Sequence, residues 1–147
     1  EYTPERGTFD WHWSEAPGAE TSITTEAPQQ GRFCLKVAFT GEVNVNYGHT
    51  GESVVAGPGS YELGAWVKSQ GLTTNQGVAL EAIAGGAVAA STEPVTGTTD
   101  WRRVTARVRL PGRCLVRLRV ARHPSVKFDN KIAGTFWIDD VWLRRVN

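Results

Sequence analysis

Six tryptophans and a set of polar side chains at alternate positions are the groups in this 147-residue chain best suited to chemistry. That chemistry is recognition of hydroxylated rings. An indole face is flat and apolar and matches the C–H face of a pyranose. Asn, Glu, Lys and Arg offer donors and acceptors to hydroxyls, and Arg and Lys also pair with uronate or other acidic groups. Taking the residues opposite the apolar face of the central strands gives Trp66, Asn44, Asn46, Lys68, Glu81, Arg117 and Arg119, with His49 at one end. Trp66 is the expected stacking platform.

Catalytic arrangements are missing from the sequence. There is no Gly-x-Ser-x-Gly, His-Glu-x-x-His, phosphate-binding loop or Gly-x-Gly-x-x-Gly, and no zinc-ligand spacing. Glycoside hydrolysis uses two carboxylates flanking one bond. Glu81 is the one acid assigned to the candidate groove, with Glu62 further along the same face of its own strand. The expectation is a non-enzymatic domain with no catalytic residues.

The elements that must position these groups are strands. Phe33, Leu35, Val37 and Phe39 alternate with Cys34, Lys36 and Ala38, and Tyr61, Leu63, Ala65 and Val67 alternate with Glu62, Trp66 and Lys68. Arg102–Leu110, Cys114–Val120 and Phe136–Leu143 repeat the pattern, and Val43–Tyr47 reads as a short strand. Leu110-Pro111-Gly112-Arg113 reads as a tight hairpin. Ala79–Ala90, broken by Gly85-Gly86, reads as a strand and a turn. Nine or ten short strands, each with one polar face, predict an all-β fold of two antiparallel sheets packed as a β-sandwich. On the last strand, alternation places Trp137 and Trp142 on opposite faces, and Asp139 with Val141 and Leu143. Trp11 and Trp13 share one face of the first strand and are read as core; His12 and His123 are read as ordinary surface residues. Cys34 falls outward and Cys114 inward, which predicts two free thiols.

Charge and hydropathy exclude further classes. No apolar run approaches the length of a membrane-spanning helix, so no membrane insertion is expected. The absence of Met and of a signal sequence is read as an excised domain or a processed chain. The net charge of +1 divides unevenly: residues 101–147 carry ten Arg and two Lys against three Asp, a net of +9, and residues 1–100 a net of −8. Because the basic residues alternate with apolar ones and the total is nearly neutral, nucleic acid is not an expected partner. An acidic polysaccharide is left open.

Several segments, in order, resemble one family. They are Gly7-Thr8-Phe9-Asp10-Trp11, Phe33-Cys34-Leu35-Lys36-Val37, Gly57-Pro58-Gly59-Ser60-Tyr61 continuing to Lys68, Thr98-Thr99-Asp100-Trp101, and the closing Ile138-Asp139-Asp140-Val141-Trp142-Leu143. Together they resemble the jelly-roll carbohydrate-binding modules of the CenC type, within the wider galactose-binding-like sandwiches, over nearly the whole chain. The resemblance implies one module across residues 1–147, attached to a larger bacterial protein, in an extracellular or cell-envelope setting. It implies binding of a poly- or oligosaccharide on a concave sheet face. The alternative reading is a structural or protein-interaction sandwich of an envelope or exopolysaccharide assembly, its Arg-rich face meeting an acidic partner.

The resemblance also implies a structural Ca²⁺. In many members an Asp at the closing pair, with an acid just after the first Gly-x-Phe, holds the ion. Here these are Asp139, Asp140 and Asp10. Calcium takes six to eight oxygens, so carboxylates from opposite chain ends form a plausible nucleus that would staple the terminal strands. Chelation is then expected to lower the melting temperature, and a melt unchanged in chelator excludes the ion.

Overall fold

The computed structural model describes residues 12–25 and 34–146. Ten strands run through them: β1 (His12–Trp13), β2 (Ala19–Thr24), β3 (Cys34–Thr40), β4 (Tyr47–Ala56), β5 (Gly59–Leu72), β6 (Ala79–Ala84), β7 (Ala87–Ser91), β8 (Gly97–Leu110), β9 (Cys114–Arg122) and β10 (Ala133–Val146). They form two five-stranded sheets, in the orders β1-β4-β9-β6-β7 and β2-β3-β10-β5-β8. Every pairing within them is antiparallel. We name the two layers after their central strands, the β9 sheet and the β10 sheet.

The core lies between the layers and is filled by the predicted alternation. Leu35, Val37 and Phe39 of β3, Tyr61, Leu63, Ala65 and Val67 of β5, and Val116, Leu118 and Val120 of β9 are all buried. Each large aliphatic or aromatic side chain moved from water into such a core contributes about 1.5–3 kcal/mol. The edge where the two sheets meet at β2 and β4 has a polar fastening. Tyr47 is buried, its ring packs edge-on to Phe39 at 6.1 Å, and its hydroxyl hydrogen-bonds to both Thr21 and Thr50. Desolvation raises the Tyr47 pKa above its ordinary value, against a smaller opposite effect of the two threonines.

Three local readings change. Residues 43–46 are not a strand; β4 begins at Tyr47. Pro111-Gly112-Arg113 is no hairpin, because β8 belongs to the β10 sheet and β9 to the other, so the turn arches across the sandwich. The same Pro-Gly chemistry serves either geometry. Ala79–Ala90 holds two strands, β6 and β7, paired around Gly85-Gly86, both of which have positive φ. The cysteines are free thiols as expected; Cys34 is buried on the β10 sheet and Cys114 packs against the core from the β9 sheet.

At the end of β9 the alternation ends in an arginine. Arg122 is fully buried and all its N–H edges are used. Nε donates to the Gln76 carbonyl at 3.1 Å, Nη1 to Asn44 Oδ1 at 2.7 Å and the Val45 carbonyl at 3.0 Å, and Nη2 to Thr74 Oγ1 at 2.9 Å and the Asn130 carbonyl at 3.1 Å. Burial lowers its pKa from the ordinary guanidinium value. The acceptors are neutral and come from three separate segments, so the group ties the loops at one end of the sandwich together. Removing it leaves buried acceptors unpaired, at roughly 1–3 kcal/mol each. Arg122→Met is therefore expected to lower the unfolding free energy by about 3 kcal/mol or more, read by urea denaturation. Arg122→Lys should recover only part, since one ammonium cannot span three segments. A loss under about 1 kcal/mol for the Met variant contradicts the anchoring role.

Candidate functional site

The seven predicted ligand residues do not line one groove. Trp66 and Lys68 lie on the outer face of the β10 sheet, and Glu81, Arg117 and Arg119 on the outer face of the β9 sheet, with the core between them. Alternation tells which side of its strand a residue takes, but not which sheet the strand joins. Asn44 and Asn46 sit in the segment before β4. Asn44 is committed to the loop clamp: its Oδ1 accepts from Arg122 and from the Ser125 N–H at 2.9 Å, and its Nδ2 donates to the Ser125 carbonyl at 2.9 Å. Asn46 is exposed beside it. The side chain of His49 lies outside the described residues.

On the β9 sheet, Glu81 pairs in register with Arg119, and Arg119 with Gly51. Glu81 points away from the core yet is only 3% exposed. Its Oε1 accepts from Arg119 Nε at 3.0 Å and Nη2 at 2.9 Å, and its Oε2 bonds His123 Nε2 at 2.5 Å. Gly51, Ala79 and Ala121 on the same outer face are also buried. The outward positions around Glu81 are thus hidden from solvent, a local recess on a face that is exposed further along, at Val55 and Leu115. Small residues shape it: a Cβ on Gly48 would come within 3.2 Å of the Arg119 guanidinium, and one on Gly51 within 2.4 Å of the Leu118 carbonyl. Bare backbone on β4 thus lets Arg119 lie flat. Arg117 and Ile83 form the next row, beside Ser53.

His123 is an exposed residue just after β9, as expected, but its ring also reaches Glu81, a contact the sequence reading does not include. A signal for it was present, because the alternation Arg117, Arg119, Ala121 continues to position 123 on the same face.

The outer face of the β10 sheet is a layer of indoles and cations. One row is Lys36, Trp137 and Lys68; the next sets Asp139 beside Trp66 and Arg103; then come Trp142, Gly64 and Thr105, and Arg144, Glu62 and Arg107. The Trp142 ring lies over Gly64, where a Cβ would sit 2.4 Å from Cζ2. The Arg103 and Arg144 guanidinium carbons stand 5.0 and 4.4 Å from the Trp142 ring centre. The Lys36 and Lys68 ammonium groups stand 5.9 and 5.5 Å from that of Trp137.

This corrects the reading of the last strand. A β-bulge between Asp139 and Trp142 inserts one extra residue, Asp140, with φ of 53°. The bulge resets the alternation. Trp137 and Trp142 therefore share the outer face, Asp139 joins them, and Val141 and Leu143 face the core with Phe136 and Ile138. Trp13 is not core either; it is 41% exposed. Trp11 and Asp10 lie outside the described residues. Asp139 Oδ1 accepts the Asp140 N–H at 2.8 Å, and among the described residues no three His, Cys, Asp or Glu side chains gather as a metal site. A calcium site thus depends on Asp10.

Two five-stranded antiparallel sheets in this order make the chain a jelly-roll β-sandwich. No protein-family profile matches the sequence, and no curated protein sequence does either. Solved structures do match. The CBM22-1 xylan-binding domain from Paenibacillus barcinonensis Xyn10C is 16% identical, with 97% of this chain and 90% of that one covered and a TM-score of 0.52. TmCBM61, in complex with β-1,4-galactotriose, is 20% identical, with 97% and 94% covered and a TM-score of 0.57. The Clostridium thermocellum xylanase 10B CBM22-1–GH10 modules, complexed with xylohexaose, are 16% identical, with 93% of this chain and 26% of that one covered and a TM-score of 0.59. At these identities the shared property is the fold, the fold of carbohydrate-binding modules.

Proposed function

We propose that this chain is a non-catalytic carbohydrate-binding domain whose glycan lies on the recessed outer face of the β9 sheet. The observation that carries this reading is Glu81, 3% exposed although it faces away from the core. Burying a carboxylate is costly for stability alone, even when it is paired. A carboxylate and a guanidinium fixed against each other instead present acceptors and donors in set positions, which lowers the cost of ordering a site around sugar hydroxyls. Arg117, Ser53 and Ser91 extend the polar surface along the neighbouring strands. Glu81 has both oxygens engaged, Oε1 by Arg119 and Oε2 by His123. It is also the only acid on the outward positions of this sheet among the described residues, one short of the pair used in glycoside hydrolysis.

The solved jelly-roll structures support the reading at the level of fold. Attachment to a multidomain bacterial protein, an extracellular or envelope setting, and a structural Ca²⁺ held by Asp10, Asp139 and Asp140 belong to the same proposal, the last tested by chelation.

A glycan array of neutral polysaccharides, probed with wild type, Arg119→Ala and Trp66→Ala, tests the site. We expect selective binding that falls at least tenfold in Arg119→Ala and stays within about twofold in Trp66→Ala, with both variants folded by circular dichroism. Absence of binding to every neutral glycan overturns the reading. So does loss confined to Trp66→Ala, which would move the ligand to the other sheet.

A further inference from the structure

We infer that the outer face of the β10 sheet is a second binding face, for an anionic polysaccharide bearing carboxylate or sulfate groups. It lies across the core from Glu81 and does not depend on the glycan reading of that floor.

The first ground is unspent charge. Lys68, Arg103, Arg107 and Arg109 point outward from β5 and β8, and none makes a hydrogen bond or ion pair among the described residues. On the β9 sheet Arg119 and Arg122 have polar partners, and on this face Arg144 pairs with Glu62. The second ground is rigidity. Arg103 sits 5.0 Å from the ring centre of Trp142. Stacking on an indole fixes a guanidinium while leaving its N–H edge open to a carboxylate or sulfate. The indoles here act as supports for cations and are not themselves the main contact surface.

The third ground is an orphaned donor. Trp137 is 5% exposed, and its indole N–H is buried with no hydrogen-bond partner among the described residues. Buried Trp N–H groups ordinarily find one. Its cover includes the Lys68 side chain, whose long stem can swing aside. An anionic oxygen drawn in by the ammonium would then find the N–H as a second donor.

The geometry favours a polymer over a single anion. Outward positions repeat at roughly 7 Å along a strand and about 5 Å between strands, so the cations form a lattice of repeated contacts. It favours a polysaccharide over nucleic acid, because Glu62 and Asp139 lie among the cations. Acids accept bonds from the many hydroxyls a polysaccharide carries between its charges, which a phosphodiester chain offers far less. Bases also need bare aromatic faces to stack on, whereas Trp137 is almost fully covered and Trp142 carries two guanidinium groups.

The test is calorimetric titration of the full chain with polygalacturonate and, separately, dextran sulfate, at 50 and 200 mM salt, with xylan as the neutral control. We expect binding to at least one of the two polyanions, at least tenfold weaker at the higher salt. The double variant Lys68→Gln/Arg103→Gln should weaken it at least tenfold while melting like wild type, and Arg119→Ala should change it less than twofold. Trp fluorescence should shift on binding in the wild type. The inference is overturned if neither polyanion binds at 50 mM salt, if Arg119→Ala weakens binding as much as the double variant, or if single-stranded DNA binds as tightly. If the double variant unfolds, the Arg107→Gln/Arg109→Gln variant takes its place with the same expected loss. Loss of neutral-glycan binding in Arg119→Ala reports on the other face alone, so either reading can fail without the other.

Discussion

A guanidinium with no contact to solvent organises one end of this sandwich. Arg122 is presented by the last residue of β9 and reaches acceptors near residues 44, 75 and 130. Three connections that share no strand pairing are thereby fixed relative to one another. The cation has no buried carboxylate partner among the described residues, so its charge is carried by oriented neutral dipoles. Such a group is tolerated only when every edge is satisfied, which leaves the loops little freedom in how they approach it. The next residue, His123, turns to the opposite side of the chain and meets Glu81. Two consecutive residues thus couple the loop clamp to the floor of the candidate glycan site. A change in the clamp would be felt at Glu81 through one peptide unit.

The two outer faces are built on different electrostatic logic. On the β9 sheet one acid is enclosed by one arginine and one histidine, and the surrounding positions are small, so the surface is recessed and locally balanced. On the β10 sheet the cations are spread over indole rings, and Lys68 and Arg103 have no hydrogen bond or ion pair among the described residues. The arginine-rich last third of the chain supplies both, because the arch at Pro111 sends β8 and β9 to different sheets. The net +9 of that segment is therefore divided between two surfaces.

Much of the architecture was legible in the sequence because a two-residue period needs no partner to be read. The apolar rows of β3, β5, β8 and β9 lie where alternation puts them, and with them the sandwich and the outward direction of Trp66, Lys68, Glu81, Arg117 and Arg119. What strand periodicity lacks is any record of which layer a strand joins, so residues from opposite surfaces were merged into one site. Asn44 was assigned to a strand face that does not form, and its amide serves Arg122 instead. The bulge at Asp140 could not be read from alternation, since one inserted residue looks the same as a continued strand until pairing is known. That single residue decided the sides taken by Asp139 and Trp142. The contact of His123 with Glu81 is hidden for a different reason: it lies one residue beyond the end of β9, where apolar alternation no longer marks the strand.

The placement of the two thiols bears on where such a domain can function. Cys34 lies on the outward side of β3, and Cys114 faces inward from the opposing sheet. To join them, a disulfide would have to cross the backbone layer to which β3 belongs, and both remain free thiols. The sandwich accordingly draws no cohesion from oxidation and loses none under reduction. Its fold is indifferent to redox poise, and the same structure would hold in a reducing cell interior and in an oxidising medium.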